Sequence, residues 1–213
     1  MEEALPITIW GRANSVSVQK VLWCCAELGL AYQRIDAGME FGRTRDPEYL
    51  ALNPNRRIPT LVDDDFVLWE SNAILRYLVL EYGRDLALYP TPTRVRTGIE
   101  RWLDWSLSTL HPVERPFFWA LVRTPPAERD HDAIAHDLRR LAGCWSVVDK
   151  YLEGNSYLEG GHFSLADLTL GTYARRWFGV EGVERPRFAN IENWYARLVE
   201  RPGFQQHVSG PLA

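Results

Sequence analysis

Leu52-Asn53-Pro54-Asn55-Arg56-Arg57-Ile58-Pro59-Thr60-Leu61-Val62-Asp63-Asp64-Asp65-Phe66-Val67-Leu68-Trp69-Glu70-Ser71-Asn72 carries a loop, a strand hairpin and a helix start in one run. Thr60 to Val62 and Phe66 to Leu68 are short extended segments. Asp63-Asp64-Asp65 separates them as a hairpin turn would, so the two strands are antiparallel. Ile-Pro leading straight into the first strand constrains the backbone strongly. If that bond is cis, the Ile58 N–H and C=O face outward and can hold an extended peptide; a trans proline that merely starts a strand is the alternative. After the second strand, Ser71 stands where an N-cap belongs, and Ile74, Leu75, Leu78 and Tyr82 mark a buried helical stripe ending at Gly83.

Upstream, Leu5 to Trp10 reads as a strand and Gly11 to Val16 as a loop. Val18, Val21, Leu22, Cys25 and Leu28 then repeat at helical spacing until Gly29. Tyr32 to Ile35 is a second short strand, and Asp36 to Arg57 is irregular with one short helix near Pro47 to Leu52. The order is βαβ, an irregular or helical segment, then ββα: a small mixed sheet covered by helices. Downstream, Tyr89-Pro90-Thr91-Pro92-Thr93 is a stiff, turn-rich connection and nothing beyond it resembles a strand. This divides the chain into residues 1–82, a linker at 83–93 and an all-helical domain at 94–213. Ile99 to Leu110 outline a helix with a kink or break near Pro112 and Pro116. Ile134 to Leu152 and Leu165 to Phe178 give two more, the last opened by a capping box at Ser164-Leu165-Ala166-Asp167 behind Phe163.

Length and composition suit a well-packed protein: 213 residues, 46% of them hydrophobic. Lys plus Arg number 24 against 28 Asp plus Glu, a formal charge of −4 with the basic residues scattered, so a nucleic-acid partner is not expected. The acidic Met1-Glu2-Glu3 is unlike a secretory signal, and no apolar run approaches the roughly 18 residues of a membrane span; a cytoplasmic protein is expected. Cys24, Cys25 and Cys144 form neither a CxxC nor a metal-spaced pattern, so no metal site is expected, and the first two read as buried thiols in an apolar helix.

Three clusters can carry chemistry. Asn14-Ser15-Val16-Ser17 places polar side chains at a helix N-terminus, whose free N–H groups and dipole favour an anion such as a thiolate; ordinary helix capping is the competing reading. The second cluster is the Leu52 to Leu61 run, with Ile58-Pro59 leading into the strand. In the third, Glu70 can accept from an ammonium while Ser71 and its N–H receive a carboxylate, which together match an amino-acid headgroup; Ser71 as a simple cap is again the alternative.

In this order and spacing the clusters resemble the glutathione transferase family, especially its bacterial and theta-like members with serine or asparagine at the active site. Phe163-Ser164-Leu165-Ala166-Asp167 is similar to that family's helix-start motif in its second domain, so the resemblance spans nearly the whole chain. It implies a thioredoxin-like, glutathione-binding first domain of α/β class and an all-α second domain. It implies further that glutathione is the co-substrate, that Ile58 pairs with its cysteinyl part, that Pro59 is cis, and that Glu70 and Ser71 hold the γ-glutamyl end. Arg56 matches a position that meets the glycine carboxylate, and Ser15 matches the catalytic serine. Ser17 stands where proline is frequent, and Asn14 can equally reach the sulfur. Asp104 resembles an acidic residue that reaches the partner subunit's glutathione in a homodimer. The implied activity is attack of the thiolate on a small electrophile, a detoxification chemistry. Phe117, Phe118, Trp119 and Trp177 either line the second-substrate site or belong to the core, and Arg123 either meets an anionic substrate or is a solvated surface residue. A glutathione-dependent disulfide reductase and a non-catalytic binding module are the competing functions; a reductase with its own thiol would need a cysteine between Asn14 and Val18, and there is none.

Overall fold

The computed structural model describes residues 7–83, 87–159 and 161–213. The first half contains β1 (Ile7–Trp10), α1 (Val16–Leu28), β2 (Tyr32–Ile35), α2 (Pro47–Leu52), β3 (Thr60–Asp63), β4 (Phe66–Trp69) and α3 (Ser71–Tyr82). Each follows the expected order, with ends shifted by a residue or two; Leu5 and Pro6 lie outside the described residues. The sheet order is β2-β1-β3-β4, with β2 parallel to β1 and both hairpin strands antiparallel to their neighbours.

Side-chain alternation along β1 gives the sheet two dressed faces. Ile7 and Ile9 join the main core with Val18, Leu22, Ile74 and Leu78 of α1 and α3, while Trp10 points to the other face and meets Tyr49 of α2 edge-on at 5.6 Å. β3 runs antiparallel to both of its neighbours, with Thr60 opposite Trp10 on one side and Trp69 on the other. Its first residue therefore abuts the last residues of β1 and β4. This register brings the loop after Trp10, the Ile58-Pro59 pair and the Glu70-Ser71 pair to one end of the sheet.

The second half consists of α4 (Thr93–Trp105), α5 (His111–Phe118), α6 (His131–Tyr151), α7 (Leu165–Gly179), α8 (Ala189–Val199) and α9 (Pro202–His207). No break occurs at the prolines. Helical backbone continues from α4 through a π turn at Ser106–Leu110 into α5, and a second π turn, Trp119–Arg123, follows it. The wider turns absorb the loss of N–H donors at Pro112 and Pro116 without ending the helix. The capping box forms as expected: the carboxylate of Asp167 accepts from the Ser164 N–H at 3.0 Å and hydroxyl at 2.9 Å. It also accepts from the Leu158 N–H at 2.9 Å and the Trp194 indole at 2.8 Å, which ties α7 to α8.

Trp23 of α1 joins the two halves. It is wholly buried, 5.5 Å from the Phe163 ring and 5.1 Å from that of Phe204, and donates to Glu27 at 2.7 Å. Glu27 in turn pairs with Arg201 across 174 positions of sequence, at 2.6 Å. A Cβ at Gly203 would stand 2.6 Å from the Trp23 ring, so the absence of a side chain there lets α9 close on α1.

Candidate active site

At the shared strand ends lies a cleft of about 570 Å³, counting its open mouth, lined by Ser17, Asn53, Asn55, Arg57, Ile58, Pro59, Glu70, Ser71, Leu107, His111 and Tyr173. Five of the expected site residues thus meet in one place: Ser17, Ile58, Pro59, Glu70 and Ser71.

The Ile58-Pro59 bond is cis. The preceding loop is held from below, where Tyr49 donates to the Arg57 carbonyl at 2.5 Å and Asn53 donates to it at 2.9 Å and to the Thr60 hydroxyl at 3.0 Å. Asn55 N–H closes a turn on the Asn53 side chain at 3.0 Å, the role short polar side chains fill in tight loops. Among the described residues the Ile58 N–H and C=O have no partner, so both are free for an added strand. Gly11, at φ 150°, is required beside them: a Cβ would fall 2.5 Å from Val18 and 3.2 Å from Ile58.

Glu70 occupies the N-cap position of α3 with φ 71° and ψ 110°, and Ser71 is the first helical residue. The helix therefore starts one residue earlier than an N-cap at Ser71 would have it, and no side chain caps it. Positive φ on a non-glycine residue costs on the order of 1–3 kcal/mol and persists where the surroundings enforce it. Here it leaves the exposed Glu70 carboxylate and the buried Ser71 hydroxyl on the same wall.

At α1, Ser15 is the N-cap by backbone geometry, but its hydroxyl makes no capping bond. The first turn contains no acidic residue, so the positive end of the helix is uncompensated. Asn14 is half-buried and its Oδ1 has no partner among the described residues. Asn14 and Ser15 flank the cleft without lining it; Ser17 lines it.

The arginine on the cleft wall is Arg57, whereas Arg56, exposed and left-handed with φ 59°, does not line it. Asp104 is exposed on α4, pairs with Arg76 at 3.5 Å, and is not in this chain's cleft. Phe117, Phe118 and Trp177 are core, while Trp119 is half-exposed and stacks with Arg123, whose guanidinium lies 4.4 Å from its ring. Arg123 is half-buried and also donates to the Ala213 carbonyl at 3.0 Å, so it is not a freely solvated side chain.

Leu107, His111 and Tyr173 were not singled out from sequence. They come from the π turn, α5 and α7, and only packing brings them to the sheet's end. The Tyr173 hydroxyl lies 3.4 Å from His111 Nδ1. Burial, with Lys20 and several arginines nearby, lowers the His111 pKa to about 4, so it is neutral at pH 7. The cysteines take no part: Cys24 and Cys25 are buried, with their thiols pushed up by desolvation, Cys25 to about 12. Among the described residues no group of His, Cys, Asp and Glu could hold a metal ion, and no helix is long and apolar enough to cross a membrane.

Residues 5–79 match the model of the glutathione S-transferase N-terminal domain and residues 110–202 that of the C-terminal domain. Glutathione S-transferase GstB of Escherichia coli strain K12 is 40% identical over 209 residues, which is 97% of this chain and 100% of that one. A solved structure of the theta class glutathione S-transferase from the citrus canker pathogen Xanthomonas axonopodis pv. citri, with glutathione bound, superposes with a TM-score of 0.94 at 46% identity, over 98% of this chain and 100% of that one. The Bombyx mori glutathione transferase BmGSTD1 superposes with a TM-score of 0.86 at 27% identity, over 96% and 93%. The chain belongs to the glutathione S-transferase family. It is an enzyme of that family, with the thioredoxin-like and all-helical architecture that the resemblance implied.

Proposed function

We propose that the cleft binds glutathione as an added strand, ionises its thiol at the N-terminus of α1, and directs the thiolate at a small electrophile. The observation that carries this reading is the convergence of the unpaired Ile58 backbone groups, Glu70, Ser71 and the uncapped α1 terminus on one cleft. Ile58 would pair with the cysteinyl residue. Glu70 would accept from the γ-glutamyl ammonium and Ser71 would donate to its carboxylate. Arg57, or Arg56 after a change of side-chain position, would meet the glycine carboxylate.

A serine hydroxyl or asparagine amide cannot remove the thiol proton, but either can donate a hydrogen bond to the sulfur. A thiol near pKa 8.5 needs about 2.7 kcal/mol of preferential thiolate stabilisation to titrate ~2 units lower. One charge-assisted hydrogen bond and a helix terminus supply energy of that order. Ser15, with a hydroxyl not used for capping, leads as the donor over Ser17 and Asn14.

His111 on the cleft wall lies in the field of Lys20, Arg115, Arg176 and Arg57. Arg12 is buried with its Nε unpartnered among the described residues, and its surroundings include Arg123 and Arg176 against Glu40. That field favours electrophiles bearing a carboxylate.

Exposed Phe66 and Trp69 on β4 and Leu80 on α3 support a homodimer, in which Asp104 would face the partner's glutathione; light scattering at the monomer mass overturns this. A cytoplasmic role in detoxification and the division at residues 83–93 belong to the same reading, and cell fractionation and limited proteolysis test them in turn.

The deciding experiment follows the ultraviolet thiolate band of glutathione as protein is titrated in at pH 7, for wild type, Ser15→Ala, Ser17→Ala and Asn14→Ala. Wild type is expected to generate the band, and Ser15→Ala to lose it while still binding. Binding without a band removes thiol activation and favours glutathione-thiol disulfide exchange or a binding module.

A further inference from the structure

Lys20 is 0% exposed, one turn beyond Ser17 on α1. Its Nζ donates to Asn72 Oδ1 at 2.8 Å and lies 5.8 Å from the centre of the Tyr173 ring. Asn72 is oriented by its own donation to the Leu103 carbonyl at 2.8 Å, an acceptor shared with the Ser106 hydroxyl at 2.6 Å. An ammonium has three donors and needs a counter-charge when it is buried. Among the described residues no carboxylate stands within ion-pair distance of it.

The cleft lies immediately beyond this cation. Asn72 of α3 accepts from Lys20, the Tyr173 ring of α7 lies over it, and Glu70 after β4 and His111 of α5 are within its electrostatic reach; Glu70, His111 and Tyr173 line the cleft, as does Ser71, the neighbour of Asn72. Along α1, Cys24 is one turn further on, a buried thiol that stays neutral. Burial lowers the Lys20 pKa to about 7, against the opposing pull of Glu70.

We propose that Lys20 is the buried counter-charge for the γ-glutamyl carboxylate of glutathione, and that binding draws one proton from solvent onto its neutral ε-amine. The inference rests on the glutathione reading of the cleft. A carboxylate on Ser71 arrives beside Asn72, the residue that holds Lys20, whereas the ligand's ammonium meets the exposed Glu70 farther out. The field at Nζ becomes more negative and the protonated amine is favoured. Binding strength is therefore full below about pH 7, where Lys20 is already charged in the free protein, and declines as pH rises above it. His111 titrates near pH 4 and is silent in that window.

The test is titration calorimetry of the full chain with S-methylglutathione, which has no thiol proton to release, at pH 7.8 in two buffers of different ionisation enthalpy. Wild type is expected to take up roughly half a proton or more per site. Lys20→Met should keep only the uptake, and the pH dependence between 7 and 9, that the ligand's own α-ammonium contributes near its pKa of about 8, less than wild type at the same pH. Asn72→Asp, which gives Lys20 a permanent carboxylate partner, should also reduce the uptake, because the amine is charged before the ligand arrives; thermal melts check both folds. Wild-type binding without uptake overturns the proposal, as does uptake undiminished in either folded variant. Should S-methylglutathione fail to bind wild type at all, the glutathione reading of the cleft falls and this inference with it.

Discussion

The two walls of the cleft are built differently. The wall made by strand ends takes its shape from backbone, the Ile58 N–H and C=O, the positive-φ turn at Glu70 and the start of α3, and that backbone presents the Glu70 carboxylate and Ser71 hydroxyl. The wall made by the helical half uses side chains alone, Leu107, His111 and Tyr173, whose positions depend on how α5 and α7 pack. A backbone wall changes little when a side chain is replaced, because hydrogen-bonded register holds it. A side-chain wall is only as firm as the packing beneath it.

Beneath the helical wall lies a buried ion pair. Arg176 of α7 donates to Glu114 of α5 at 3.0 Å, and its guanidinium lies 3.7 Å from the centre of the Phe118 ring. Burial pushes the Glu114 pKa up while Arg176 pulls it down. Replacing Arg176 with Met strands a buried carboxylate, and about 3–5 kcal/mol of stability should be lost in chemical denaturation. A loss under about 1 kcal/mol would show that the two helices hold their places without the pair. This is the largest effect expected.

Next in size is binding by the strand-end wall. Glu70→Ala removes a charged acceptor, so kcat/KM for glutathione should fall about 10- to 100-fold, the range of one charge-assisted hydrogen bond. His111→Ala should cost less than about fivefold, because a neutral imidazole offers no charge to the ligand. If the His111 variant suffers more than the Glu70 variant, the contrast between the walls is reversed.

His111 also separates the walls by pH. Its folded pKa of about 4 lies below the ordinary histidine value, so the folded state binds fewer protons than the unfolded one between about 4 and 6.5. Stability should therefore fall as pH drops through that range, on the order of 1 kcal/mol per unit, and His111→Gln should flatten the slope in denaturation curves. An unchanged slope would mean that other groups dominate acid sensitivity.

The smallest effect sharpens the picture of the second substrate. Arg123→Gln should raise KM a few-fold for an electrophile carrying a carboxylate and leave a neutral one unaffected, an exposed or half-buried charge contributing about 1 kcal/mol or less. Equal effects on both electrophiles would assign Arg123 to holding the Trp119 region in shape.

Element order and the strand-end wall were legible in the chain itself. Period-two and helical apolar spacing, the Asp63-Asp64-Asp65 turn, Gly29 and the Ser164 to Asp167 box are local signals, and each appears where its residues require. Ile58-Pro59 and Glu70-Ser71 were readable because a strand end adjoins its motif in sequence. Pro112 and Pro116 suggested a kink or break: no break occurs, and packing of α5 against its neighbours sustains a helix that widens into π turns on either side. That Arg57 rather than Arg56 lines the cleft was not legible, because Arg56 is left-handed, a conformation no residue-type preference singles out at arginine. The helical wall, the Glu114–Arg176 pair and the burial of Lys20 were decided by tertiary structure alone. Sequence states which side chains are polar, but whether a polar group meets water, a partner or a ligand depends on surfaces brought together from distant parts of the chain, 52 positions apart for Lys20 and Asn72 and 62 for Glu114 and Arg176.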